Sequence, residues 1–134
     1  MIKYVCANLV DIKDNQLLLV KVRENEKYYL PGGKIEAGES DIESLIREME
    51  EELSVKLDAS KLTYLDTLIG PAYPDTDNEV ELRCYTYEGL DTFEKSSEIT
   101  DAQYMDMSDV TNIAPAVKVL IQKLQQKQEK VKWT

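Results

Sequence analysis

Apolar residues along this chain follow two periods, and the switches between them mark out its elements. Ile2 to Ile12 is apolar and β-branched enough to be a central strand, Asp14-Asn15 makes a turn, and Gln16 to Arg23 reads as a second strand, a hairpin partner of the first. A helical period then takes over. Ser40 stands at an N-cap with Glu43 three residues on, the pattern of a capping box, which predicts a helix from about Asp41 to about Leu53. At about 100° per residue, Ile42, Leu45, Ile46, Met49 and Leu53 gather on one side and face a core. Lys61 to Ile69 alternates weakly as a strand ended by Gly70-Pro71, and 70–78 is a loop rich in turn formers. Glu79 to Tyr87 alternates Val80, Leu82 and Cys84 with polar residues, a half-buried strand. Pro115 suits the first turn of a closing helix whose apolar face is Val117, Leu120, Ile121 and Leu124, with the Gln- and Lys-rich end expected to fray.

Length and composition narrow the class. The 134 residues form one domain, with no repeat or linker, and no apolar run approaches the roughly 20 residues of a membrane span. The N-terminus enters a strand pattern directly, without the organisation of a signal peptide. Cys6 and Cys84 both lie in strand-like apolar runs and are expected as buried free thiols, which suits a reducing cytoplasm. Net charge is −10, yet from Pro115 onward five lysines face one glutamate, which leaves −14 on residues 1–114. Such a surface repels nucleic acid and polyphosphates alike unless divalent ions intervene, so it argues for a small anionic substrate handled with metal. The chain has no histidine, which excludes serine-histidine triads, histidine bases and imidazole metal sites.

The helix carries a second, acidic face. Glu48, Glu51 and Glu52 are spaced i, i+3 and i+4, which sets their side chains beside one another away from the apolar stripe. Like charges so placed destabilise a helix by roughly 0.2–0.5 kcal/mol per pair, so folding alone does not ask for them. A hard divalent cation does, because magnesium takes oxygen ligands and completes its shell with water and phosphate. Ahead of the helix, Leu30-Pro31-Gly32-Gly33 offers backbone that bends sharply and approaches a ligand closely, and Lys34 stands at the mouth of this site as a point charge for phosphate oxygen. The 100° step aims Arg47 away from Glu48, so it is expected to pair with a loop carboxylate such as Glu39 and hold loop to helix.

The stretch from Gly33 to Val55 resembles the Nudix box of the Nudix (MutT-like) hydrolases: Gly, five residues, Glu, seven residues, Arg-Glu, an aliphatic residue, any residue, Glu-Glu, any residue, Gly, an aliphatic residue. Gly33, Glu39, Arg47, Glu48, Met49, Glu51, Glu52 and Val55 meet it. Ser54 stands where the family has Gly, just past the helix end, where it costs about 1 kcal/mol of strain or shifts the cap. The resemblance implies an α/β (α+β) fold, the Nudix α/β/α sandwich, with a mixed β-sheet between helices. The 97–99 segment and Ala102 to Met107 resemble the family's late acidic loop and last strand.

The resemblance also implies the chemistry: Mg²⁺-dependent hydrolysis, with Mn²⁺ as a substitute, of the pyrophosphate of a nucleoside diphosphate linked to another group. Glu48 and Glu52 are the implied catalytic pair, with Glu52 the essential ligand and Glu48 the base that deprotonates water; Gly33 (through its carbonyl), Glu48, Glu51, Glu52 and Glu98 are the implied metal set. Arg23 and Lys34 are assigned to substrate phosphate and Tyr28 to the base or sugar pocket. A nucleoside triphosphate is the first substrate expectation. ADP-ribose and a dinucleoside polyphosphate follow, because Pro71 and Tyr73 sit at positions past the box that correlate with each and so cancel. A non-catalytic nucleotide-binding sensor is disfavoured because every box carboxylate is kept. No nucleic-acid or membrane partner is expected; the resemblance allows a homodimer, which no feature of the sequence decides.

Overall fold

The computed structural model describes residues 1–23, 25–96 and 98–133, the last six as helix backbone only. Ser97, expected in the late acidic loop, lies outside the described residues. The elements are β1 (Ile2–Leu9), β2 (Ile12–Lys13), β3 (Gln16–Val22), β4 (Tyr28–Tyr29), β5 (Gly32–Lys34), α1 (Asp41–Leu53), β6 (Leu62–Pro71), β7 (Glu79–Tyr87), β8 (Ile99–Asp106) and α2 (Pro115–Trp133). A short 3₁₀ turn, Ala59–Lys61, precedes β6.

The first apolar run does not form one strand. β1 runs parallel to β7 in a mixed sheet of order β5-β1-β7-β6, while β2 belongs to a second, antiparallel sheet in which β3 pairs with β2, β4 and β8. The switch is made at two residues: the Val10 N–H donates to Tyr85 O at 2.8 Å in the first sheet, and Asp11 O accepts from Leu18 N–H at 3.0 Å in the second. β3 therefore has β2, not β1, as its hairpin partner. The connection is Asp14-Asn15, with φ of 52° and 63°, the pair of left-handed residues of a tight two-residue turn.

Alternation across these strands makes the layers. Ala7 and Leu9 of β1 and Leu18 and Val20 of β3 pack with Leu45, Met49 and Leu53 of α1. Their neighbours in sequence, Cys6, Leu17 and Leu19, join Leu82 and Cys84 in packing with Val117, Leu120 and Ile121 of α2. The sheets thus lie between two helices, as the α/β/α expectation has it. Cys6 and Cys84 are buried free thiols, and burial pushes each up to about 12.

α1 begins and ends at the expected residues. Ser40 Oγ accepts from Glu43 N–H, Glu43 returns a bond to Ser40 N–H, and Ser54 closes the helix in the left-handed region at φ 56°, ψ 34°. Its first residue, Asp41, is fixed to β7 by Arg83 at 2.8 Å and by the Tyr85 hydroxyl at 2.9 Å. α2 runs to Trp133. No helix among the described residues is long and apolar enough to cross a membrane.

Candidate functional site

Two glycines let the loop before α1 lie against its acidic face. Gly32 has φ +119°, and a Cβ there would come within 2.2 Å of Ala7 O, so no other residue fits between β5 and β1. Its N–H is free to turn to the helix and donates to Glu52 Oε1 at 2.9 Å. A Cβ on Gly33 would stand 2.9 Å from Glu48 Cδ, so the bare backbone of Gly33 is what makes room for that carboxyl group.

Electrostatically this face is under-compensated. Glu52 is pushed up to about 8, chiefly by burial, with Gly32 N–H opposing and Glu48 and Glu51 adding to the rise. Glu48 is raised as well, by burial first, although Arg47 pulls the other way. Carboxylates held this way gain from any nearby positive charge.

Arg47 supplies part of that charge and joins loop to helix as expected, but it does not turn away from Glu48. The predicted pairing with Glu39 is made through two bonds, at 2.7 and 3.0 Å, and with the Glu36 amide this holds Glu39 down at about 2. Arg47 also reaches Glu48 Oε1 at 3.0 Å, Glu51 at 3.3 Å and Lys34 O at 3.4 Å. The expectation that it turns away from Glu48 fails because the helical step fixes only the Cα–Cβ direction; the guanidinium, on a long stem, folds back over the next residue. With Glu48 and Glu51 on Arg47 and Glu52 on Gly32, no three acid or thiol side chains among the described residues converge on one point. The donor set itself, three carboxylates on one helix face of which Glu48 and Glu52 are raised by burial, is of the chemistry a hard cation takes.

The remaining expected residues divide. Lys34 borders the same site, lining a cavity of about 340 Å³ that Glu52 and Gly33 also line. Arg23 and Glu98 are brought to each other, the Arg23 N–H donating to Glu98 O at 2.7 Å in the turn before β8, and neither lines the cavity. That turn is tethered to the end of α1, since the amides of Ser96 and Glu94 donate to the carbonyls of Glu52 and Leu53, each at 2.9 Å. Tyr28 faces away from the cavity: its hydroxyl donates to Asp101 on β8. Tyr29, the next residue on β4, lines the cavity instead.

Sequence reasoning missed Tyr4, Asn8 and Tyr29 of this cavity, with Tyr73 noted only as a spacing clue; Val80, Leu82 and Val117 complete an apolar floor. Asn8 carried a signal, as a lone amide in the apolar run VCANLV. It is 6% exposed, donates through Nδ2 to Pro31 O at 3.3 Å, and its Oδ1 is buried without a hydrogen-bond partner.

The NUDIX domain family model matches residues 3–125. Among solved structures, the Escherichia coli ORF135 protein is 18% identical with a TM-score of 0.72, covering 96% of this chain and 92% of its own. A MutT NUDIX hydrolase from Burkholderia pseudomallei is also 18% identical at 0.72, covering 89% and 95%. A Caenorhabditis elegans Ap4A hydrolase is 19% identical at 0.67, covering 95% and 98%. At these identities the likeness is one of fold. No match was found among curated proteins.

Proposed function

The chain belongs to the NUDIX-domain family of pyrophosphate-bond hydrolases, and from that premise we propose that it is a Mg²⁺-dependent pyrophosphohydrolase of a small nucleotide, a nucleoside triphosphate before any other. The observation that carries this reading is the trio Glu48, Glu51 and Glu52 on one face of α1, with Glu48 against Gly33, Glu52 bonded to Gly32 N–H, and Glu52 lining a cavity of about 340 Å³.

In this reading Glu51, Glu52 and the Gly33 carbonyl would hold the cation, and Glu48 is either a further ligand or, as favoured here, the base. When bound, the cation neutralises polyphosphate charge and lowers the pKa of water at the site. The reaction adds water oxygen to a phosphorus and breaks one phosphoric anhydride bond, the proton passing to Glu48. Glu48 suits a base because burial already raises its affinity for a proton. Lys34, at the cavity mouth, takes a phosphate oxygen, and Arg47 sets the positions of Glu48 and Glu51 relative to the loop. Arg23 and Glu98 keep their proposed contacts, to phosphate and metal, from the turn tethered to α1. The base pocket role assigned to Tyr28 passes to Tyr29. Two buried, unpaired thiols fit a reducing cytoplasm.

A dinucleoside polyphosphate or ADP-ribose is the second reading, favoured by one observation: Pro71 and Tyr73, the two positions that pointed to those substrates, both line the cavity. The test is phosphate release from nucleoside triphosphates, ADP-ribose, nucleotide sugars and dinucleoside polyphosphates with Mg²⁺ and a coupling phosphatase, run beside Glu52→Gln. One class should turn over, and the variant should lose roughly 10³-fold. Nucleotide binding without turnover of any class would replace the enzyme by a sensor.

A further inference from the structure

Asn8 is poorly explained by folding. Tyr4, Cys6 and Asn8 alternate along β1 toward the α2 side of the sheet and all line the cavity, and Asn8 sits in register between Gly32 of β5 and Cys84 of β7. The bond from Nδ2 to Pro31 O fixes which end of the amide is which, because a flip would set two oxygens against each other. Oδ1 is then left buried without a partner, a deficit worth about 1–3 kcal/mol. A leucine, with the same number of side-chain heavy atoms, would avoid that cost.

The surroundings say what could supply the missing donor. Tyr4, Tyr29 and Tyr73 line the same cavity, with the Tyr29 hydroxyl bonded to Tyr73 O at 3.4 Å, so its walls are aromatic. Aromatic faces receive planar rings at little entropic cost. At about 30 Å³ for a water-sized group, 340 Å³ holds about eleven such groups, the scale of one heterocyclic base. Glu52, Gly33 and Lys34 border the cavity on its phosphate-handling side.

We propose that Asn8 determines substrate specificity: its Oδ1 accepts a hydrogen bond from an N–H on the Watson–Crick edge of the substrate's nucleobase, seated among Tyr4, Tyr29 and Tyr73. The proposal rests on the nucleotide-hydrolase reading for the identity of the ligand. It adds which atom of the protein reads the base.

The experiment is calorimetric titration of the wild-type chain with AMP, GMP, CMP and UMP, then with the best-bound of these methylated so that no N–H is left on its Watson–Crick edge, and the same series on Asn8→Leu. Methylation should weaken binding to wild type by about 5–150-fold, the fold-change equivalent to the orphaned acceptor. Asn8→Leu should bind the parent nucleotide that much more weakly and cease to distinguish it from the methylated one, with its ranking of the four bases flattened. A structural role alone would lower the thermal midpoint and leave the ranking intact, which overturns the proposal. Equal affinity of wild type for parent and methylated nucleotide overturns it without any variant, as does the absence of measurable binding to all four. Because binding is read without turnover, a catalytically silent protein that behaves as described removes the hydrolase reading and keeps this one. Turnover that ignores Asn8 does the reverse.

Discussion

Ser54 is a residue in a place made for another. It holds φ 56° and ψ 34° at the end of α1, a conformation that costs a residue with a Cβ about 1 kcal/mol and costs glycine almost nothing. Its N–H still closes on Glu50 O at 3.2 Å and the next amide on Met49 O at 3.3 Å, so the cap is made and the strain is simply carried. Ser54→Gly should therefore stabilise the chain by about 0.5–1 kcal/mol, read as a rise of about 2–4 °C in thermal midpoint, with hydrolysis unchanged. A fall would mean that the serine side chain supplies more than the backbone loses. Gly32 is the opposite case: its positive φ and the 2.2 Å approach to Ala7 O leave no room for any side chain.

At the scale of elements, α1 and the loop before it act as one piece because Arg47 joins them. The guanidinium bridges Glu39 in the loop to Glu48 and Glu51 on the helix, a planar fork that lysine cannot reproduce. Arg47→Lys should cost about 1–2 kcal/mol in urea unfolding and about 10–100-fold in kcat/KM, since Glu48 would lose its placement relative to Gly33. Equal kinetics in the two proteins would reduce Arg47 to a fold support. The helix itself was legible in the sequence to the residue, because capping box, apolar period and Glu spacing all point to one span. The first strand was not: apolar, β-branched content marks a strand but not the point where backbone bonds pass from one sheet to another, as they do between Val10 and Asp11. β4 and β5, with two and three residues, are too short to show a period. The cavity was hidden for a related reason, as Tyr4, Tyr29, Tyr73 and Val117 are far apart in the chain and meet only through sheet order.

For the whole molecule, the acidic balance makes stability a function of pH and cation together. Glu52 has a folded-state pKa of about 8 against an ordinary value of 4.5, so between those values the native state retains a proton that the unfolded chain has released. More protons on the native side means that stability falls as pH rises through that window, and Glu48, raised for the same first reason, adds to the fall. Glu39 has the opposite sign, but its lowered value confines its effect to pH below about 4.5. The chelated protein should therefore unfold at its highest temperature near pH 5 and lose stability toward pH 8, by a few kcal/mol at most, since each tenfold change in proton affinity is worth about 1.4 kcal/mol. Saturating Mg²⁺ should flatten this slope, raising the midpoint more at pH 8 than at pH 5, because it favours the ionised carboxylates that burial penalises. Glu52→Gln keeps an oxygen for Gly32 N–H and has nothing to ionise, so without metal it should be more stable than wild type at pH 8 and show a shallower slope. Thermal unfolding of both proteins at pH 5, 6.5 and 8, with EDTA and with Mg²⁺, reads all of this. A slope that survives in Glu52→Gln would move the origin of the pH dependence away from Glu52, to Glu48 and the rest of the −14 carried by residues 1–114.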